Sequence, residues 1–333
     1  PKMKKFENAF ANKHSAEFGV ACSSGTNALV LALRSIGCGP GDEIIVPCFT
    51  MVASAWAVSM TGATPVFVDC GEDLLINPSK IESKITGKTK AIMPVHIYGR
   101  RCDMRAINII AHDYGLRVIE DSAEAIGIGL AGDIACYSLF ANKIITAGEG
   151  GVCITNDIYL ANQMEHLSGM AFDHNHSFLH KKMAYNFRIT NLQACVAMAQ
   201  LEKLDEFLAK RKQIEGWYDE ELATVPRIRI LPNRDVLWMY DLLVPFRTRD
   251  ELQEVLAANG IESRVFFKPM SQQPMYADEY MNLLAYKASL EGLYLPTYVD
   301  LRRSDVKKIC AVIRKFYKQK DAEFKKLQET NPQ

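Results

Sequence analysis

The sequence lacks any excess of charge: 39 Lys and Arg stand against 39 Asp and Glu, with no long basic run in 333 residues. That balance excludes a chain built to coat nucleic acid, which leaves a basic stripe as its footprint. Also missing is an apolar stretch near the roughly 18 residues that a membrane helix needs, so no membrane partner is expected. No CxxC pair occurs, and the nine cysteines (Cys22, Cys38, Cys48, Cys70, Cys102, Cys136, Cys153, Cys195 and Cys310) are odd in number and widely spaced. A disulfide framework or a zinc knuckle needs a different spacing. Most of these thiols sit in apolar runs, where cysteine behaves as a small hydrophobe. No metal is expected, and a reducing, cytoplasmic setting is. Internal repeats and low-complexity segments are absent too. Residues Pro1–Lys5 carry no signal-peptide pattern. Because the chain does not open on Met, its natural start is expected upstream.

What is present is ordinary globular composition, 48% hydrophobic and 23% charged, at a length that suits one large domain and one smaller. The first two thirds alternate strand-like and helix-like segments. Helical spacing marks Thr26–Ser35, Val52–Met60 and Met104–Tyr114. Apolar runs mark strands at Glu43–Val46, Thr64–Val68, Lys90–Pro94, Arg117–Glu120, Ile134–Phe140 and Gly151–Thr155. Strands separated by helices of about ten residues predict βαβ units, an α/β fold and a mostly parallel sheet. From Ile189 to Leu222 the pattern is helical, and a turn-rich stretch follows at Pro226–Asp235. Beyond it, Val236–Val244, the helix Arg249–Asn259, the strand Ser263–Phe267 and the helix Ser304–Tyr317 predict a compact α+β unit. A large domain over 1–222 and a small one over 223–333 are therefore expected. The charged tail Lys318–Gln333 is expected to fray.

Three pieces could carry chemistry. Asp121 ends an apolar strand, where open α/β sheets place their ligands; taken alone it reads equally as a helix N-cap. Lys143 follows a strand that should be buried. Such a lysine either snorkels outward or stays inside as a desolvated amine of lowered pKa, suited to attack a carbonyl. Ser23-Ser24-Gly25-Thr26 opens the first long helix, and backbone N–H groups there with small hydroxyls can cradle a phosphate. Each signal is weak alone. Together they are what pyridoxal phosphate requires: an amine to link it, a carboxylate for its ring nitrogen and a cradle for its phosphate.

Longer stretches point the same way. They include Ser23-Ser24-Gly25-Thr26-Asn27-Ala28-Leu29, Gly39-Pro40-Gly41-Asp42-Glu43, Pro94-Val95-His96-Ile97-Tyr98-Gly99 and Glu120-Asp121-Ser122-Ala123-Glu124-Ala125. Further along come Asn142-Lys143-Ile144-Ile145-Thr146, Gly148-Glu149-Gly150-Gly151 and Tyr185-Asn186-Phe187-Arg188-Ile189-Thr190-Asn191. In this order the chain resembles the DegT/DnrJ/EryC1/StrS sugar aminotransferases, and the Asn-Lys-Ile-Ile-Thr form is similar to the perosamine-synthase branch, which aminates 4-keto-6-deoxy sugars. The resemblance implies a fold type I pyridoxal-phosphate enzyme. It implies transfer of an amino group from an amino acid, with glutamate the expected donor, to a nucleotide-linked keto-deoxy sugar, within deoxyamino-sugar and O-antigen synthesis.

The resemblance also distributes roles. Lys143 is the cofactor-linked lysine and general base, and Asp121 the partner of the ring nitrogen. Glu124 is expected beside the cofactor's phenolic oxygen, and Ser24, Gly25, Thr26 and Ser138 around its phosphate. Asn186 is expected to reach the phosphate of a neighbouring subunit, which implies a homodimer with shared sites. Tyr185, Arg188 and His96 are candidate substrate contacts, although for His96 a structural or interface hydrogen bond is the preferred reading. A sugar dehydratase of this family carries His in place of Lys143, and a cofactor-binding regulatory member would not turn over. Two departures stand out. Met51 occupies the position of the usual stacking aromatic, with Phe49 or Trp56 as candidates to replace it, and the stretch between Glu124 and Gly132 is shorter than in the family. Gly127–Gly132 spells GxGxxG, but a strand rather than a helix is expected after it, against a dinucleotide site. His174, His176 and His180 read as part of a substrate-covering loop rather than a metal cluster.

Overall fold

A computed structural model describes residues 2–172, 178–180, 182–231, 234–277 and 283–330, with side chains to 323. The chain opens with α1 (Lys2–Lys13) and β1 (Phe18–Cys22), neither of which was expected from the pattern. There follow α2 (Gly25–Ser35), β2 (Glu43–Pro47), α3 (Ala53–Met60), β3 (Thr64–Val68), β4 (Thr89–Ile92), α4 (Met104–Tyr114), β5 (Arg117–Asp121), β6 (Ile134–Ser138), β7 (Gly151–Thr155) and α5 (Ile158–Ser168). The helical stretch after Ile189 is two helices, α6 (Asn191–Leu201) and α7 (Leu204–Leu222). Thr190 starts the first with a reciprocal cap, its side chain and that of Gln193 each serving the other's backbone.

The seven-stranded sheet has the order β1-β7-β6-β5-β4-β2-β3. Its pairs from β3 to β6 are parallel, while β7 runs antiparallel to both β6 and β1. Strands β2, β5, β6 and β7 are almost wholly buried, which is why they read as continuous apolar runs rather than alternating ones. One core cluster packs α2, with Leu29, Val30, Leu31 and Leu33, against Ile44, Ile119, Ile134 and Cys153.

A second, four-stranded antiparallel sheet has the order β10-β11-β9-β8, from β8 (Arg229–Ile230), β9 (Tyr240–Leu243), β10 (Arg264–Val265) and β11 (Gly292–Leu295). The expected boundary at 222 falls between the two sheets. Helices α8 (Arg249–Ala258), α9 (Leu283–Glu291) and α10 (Arg303–Thr330) complete this half. Ile214, Tyr218 and Leu222 of α7 join its core with Leu252, Ile309 and Ile313. The tail corrects the expectation: α10 is helical past Lys318 to Thr330. Its first turns are held by an apolar stripe, and ion pairs from Lys320 to Glu251 and Glu323 carry the ordering further.

The two sheets are joined by a buried charge network. Arg100 follows the turn after β4, and its guanidinium grips Asp241 of β9, with Nη1 2.8 Å and Nη2 3.0 Å from the carboxylate. Arg234 bonds the same carboxylate from the other side through Nε at 2.8 Å. All three side chains are at most 2% exposed. No helix among the described residues is long and apolar enough to cross a membrane.

Candidate active site

The residues singled out in the sequence gather where the parallel strands end. Asp121 closes β5, is buried, and accepts a 2.7 Å hydrogen bond at Oδ2 from Ser54 Oγ of α3. Ser54 in turn pairs with Thr50 Oγ1 at 2.9 Å. The other carboxylate oxygen accepts the Ala123 amide at 3.1 Å within a turn. No helix follows β5, so the N-cap reading of Asp121 is withdrawn. Burial pushes its carboxyl pKa up, opposed by the bonds from Ser54 and Ala123 and by the charge of Lys143.

Lys143 lies in the loop after β6, with its side chain 12% exposed. It stays inside rather than snorkelling outward. Burial lowers its pKa, and the carboxylates of Glu124 and Asp121 pull the other way. Its Nζ is 3.9 Å from Glu124 Oε1, at the outer limit of an ion pair. Glu124 Oε2 accepts the Tyr98 amide at 2.9 Å. Desolvation dominates for Glu124 also, raising its carboxyl to about 7. Amine and carboxyl are thus both driven toward neutrality, as burial requires of groups too far apart for a tight pair.

Beside them stands an open helix start. Ser24 caps α2, its Oγ accepting the Asn27 amide at 3.1 Å, which leaves the amides of Gly25 and Thr26 in the unpaired first turn. A Cβ on Gly25 would lie 2.8 Å from Ser138 Cβ, so glycine lets the end of β6 close on the helix. Gly151 makes the matching approach on the other side, where a Cβ would meet Ser24 O at 2.4 Å.

The family profile described as the DegT/DnrJ/EryC1/StrS aminotransferase family matches residues 1–314. The GDP-perosamine synthase of Caulobacter vibrioides is 43% identical over 328 residues, covering 93% of this chain and 88% of that protein. Among solved structures, S. venezuelae DesV is 33% identical with a TM-score of 0.90, covering 95% of this chain and 89% of that one. The ntda protein of Bacillus subtilis, solved with bound cofactor pmp, is 29% identical with a TM-score of 0.87 and covers 95% and 77%. This chain belongs to the DegT/DnrJ/EryC1/StrS aminotransferase family.

The protein is therefore a pyridoxal-phosphate-dependent aminotransferase of fold type I. Its residues fit that cofactor. A buried amine, a buried carboxylate and a helix N-terminus closed on by Ser138 are groups suited to the cofactor's aldehyde, ring nitrogen and phosphate.

Other candidates lie apart from this cluster or in different company. Met51 is half exposed on the turn whose carbonyl accepts from Ser54. Phe49 is buried among Tyr98, Phe266 and Phe267, and Trp56 is half exposed with its indole N–H toward Met275 Sδ. Tyr185 stacks on Phe187 at 4.4 Å, and Arg188 Nε donates to Asn186 Oδ1 at 3.2 Å. That segment pairs with the end of β1, where the Ser23 amide donates to Phe187 O at 2.8 Å. His96 is fully buried: Nδ1 accepts the Cys102 amide at 3.1 Å, so Nε2 carries the hydrogen donated to Glu120 at 2.9 Å. Both ring nitrogens are engaged in the structural bonds weighed against a substrate role. Gly127–Gly132 is loop and opens no helix. His180 is exposed and its Nδ1 faces Met170 O, whereas His174 and His176 lie outside the described residues. Among the described residues no group of His, Cys, Asp and Glu could hold a metal.

Two neighbours of the site escaped the sequence. Ser54 sits in an apolar helical run, where a small hydroxyl is the only sign of a buried carboxylate opposite. Trp238 sits in Leu237-Trp238-Met239-Tyr240, which reads as plain core.

Proposed function

We propose that this aminotransferase moves an amino group from an amino acid, L-glutamate, to a keto-deoxy sugar carried on a nucleotide. The GDP-linked 4-keto-6-deoxy sugar is the first substrate to test, on the strength of 43% identity to a GDP-perosamine synthase. The observation that carries the assignment is the buried Lys143 amine beside a buried Asp121, at the strand ends that also hold the open start of α2.

When bound, pyridoxal phosphate supplies an aldehyde to capture amines and a ring that stores the electrons released at the reacting carbon. The chain's residues do the rest. The first-turn amides of Gly25 and Thr26, with Ser24 and Ser138, hold the phosphate. Asp121, kept oriented by Ser54, holds a proton on the ring nitrogen. Glu124 would face the phenolic oxygen, and Met51 would pack on the ring through its thioether. Lys143 would link the cofactor at rest. Once free, its amine would carry the proton off the donor's α-carbon and, in the second half of the cycle, would carry one to the sugar carbon. Its lowered pKa keeps a fraction neutral and able to accept.

We further propose a homodimer in which the exposed Asn186 reaches the neighbour's phosphate, with Tyr185 and Arg188 beside the substrate. A division into domains at residue 222 and a cytoplasmic role in O-antigen sugar synthesis complete the reading. The free cysteines, eight of nine buried, suit a reducing compartment.

The test is the visible spectrum of the protein reconstituted with pyridoxal phosphate. A yellow band that bleaches with L-glutamate, and product formation from GDP-, UDP- or dTDP-linked keto sugars, is expected. Lys143→Ala should lose the band shift and turnover while the fold persists. A Lys143→Ala enzyme that turns over normally sinks the assignment.

A further inference from the structure

The Lys143 amine rests on an indole ring. Its Nζ lies 4.2 Å from the ring centroid of Trp238, a side chain 3% exposed and contributed by the segment entering β9. That segment is tied down along its length. The amides of Asp235 and Val236 both donate to Gly99 O, at 3.1 and 3.0 Å. Gly99 has φ +79°, and a Cβ there would lie 1.8 Å from Val236 O, so the two backbones touch. Buried Arg211 donates to Leu237 O at 3.2 Å and Trp238 O at 2.7 Å, and Thr297 Oγ1 donates a second bond to Trp238 O at 3.1 Å. The indole N–H then donates to Asn142 O at 3.2 Å, the carbonyl of the residue before the lysine.

A tryptophan that only filled the core would need neither contact. Here one ring meets the lysine twice, through its face at the amine and through its N–H at the preceding peptide. We infer that Trp238 is a positioning residue for transamination: its ring face holds the free Lys143 amine over the site, and its N–H holds the peptide that carries it. The inference rests on Lys143 being the reactive amine. An aromatic face suits the task because it attracts the ammonium through its quadrupole yet cannot take the proton. A third carboxylate there would do both. The charged groups facing the amine are Glu124 and Asp121 alone among the causes of its shift, and both already favour the ammonium.

The test reads the amine directly in cofactor-free protein. Pulsed labelling with an amine reagent across a pH series, quantified at Lys143 by mass spectrometry, gives its titration in wild type, Trp238→Leu and Trp238→Phe. Leucine keeps the site apolar but removes the quadrupole. The Lys143 titration should move down by about one pH unit, with labelling below the midpoint up to about tenfold faster, and Phe should fall between. An unchanged titration in Trp238→Leu overturns the inference, and so does an upward shift, which would mean the ring merely excludes water. Should Trp238→Leu not fold, site-specific fluorinated tryptophans keep the shape and weaken the face stepwise. A stepwise fall then supports the contact and a flat series overturns it. The two failures separate cleanly. If Lys143→Ala keeps the wild-type cofactor band, the lysine assignment fails; if it loses the band while Trp238→Leu leaves Lys143 unshifted, only the inference fails.

Discussion

His14 should make the fold acid-sensitive, and the structure says by how much. It lies just past α1, 2% exposed, stacked on Phe10 at 4.2 Å with Tyr137 at 4.9 Å. Its Nε2 accepts the Gly127 amide at 3.2 Å, so that nitrogen must be bare and Nδ1 donates to Phe10 O at 2.9 Å. Burial brings the ring's pKa down from 6.5 to about 4. Between those values the unfolded chain holds a proton that the folded chain does not, so unfolding takes one up. The stabilisation is whole above pH 6.5, falls as pH drops through that window, and levels off below about 4. Two and a half pH units at about 1.4 kcal/mol each make a total near 3.5 kcal/mol, of which about 2.5 is lost by pH 4.5. Other histidines and carboxylates titrate too, so the measurement is a difference. His14→Gln offers an amide oxygen to Gly127 and an N–H to Phe10 but does not titrate. Urea unfolding at pH 7.5 and 4.5 should show wild type losing about 2 to 2.5 kcal/mol more than the variant. Equal losses refute the reasoning, as would ring-nitrogen NMR showing His14 protonated near pH 6.5 in the folded protein. The consequence reaches the site, because Gly127 lies three residues after Glu124 in the loop that His14 supports.

Asp241→Leu leaves the guanidinium groups of Arg100 and Arg234 buried without their shared carboxylate, so a loss of about 3–5 kcal/mol is expected in urea unfolding; a wild-type midpoint would show the network to be idle. Ser54→Ala removes the 2.7 Å bond that favours ionised Asp121. The Asp121 carboxyl should then rise further and the acid limb of kcat/KM move up by about one pH unit, with an unmoved limb counting against Ser54 as its support. Glu124→Gln deletes a carboxyl that burial raises to about 7. An inflection near neutral pH should vanish from the rate profile, and its persistence would assign it to another group.

The candidate site residues could be picked out early because their signals are local. Asp121 and Lys143 are marked by following apolar strands, and Gly25 and Thr26 by opening a helix, and such signals survive in one dimension as periodicity and turn residues. The same holds for the alternating strands and helices from α2 to β7. Fraying from Lys318 was expected from charge alone, whereas α10 continues as helix to Thr330, with ion pairs holding it as far as Glu323. The N-terminal α1 and β1 gave too weak a pattern, since β1 gains its place only by pairing with β7.

What only the tertiary structure decided is which distant groups meet. Ser54 and Asp121 are 67 residues apart, Asn142 and Trp238 are 96, and Arg100 and Asp241 are 141. Nothing periodic links such pairs. Their partners are chosen by how helices, loops and strands pack, and before that packing each is an ordinary serine, tryptophan or arginine in its own segment. The sequence by itself determined the candidate groups and the strands that carry them; the fold decided how dry they are and what holds them still, because burial and contact belong to the packed chain and to no segment of it.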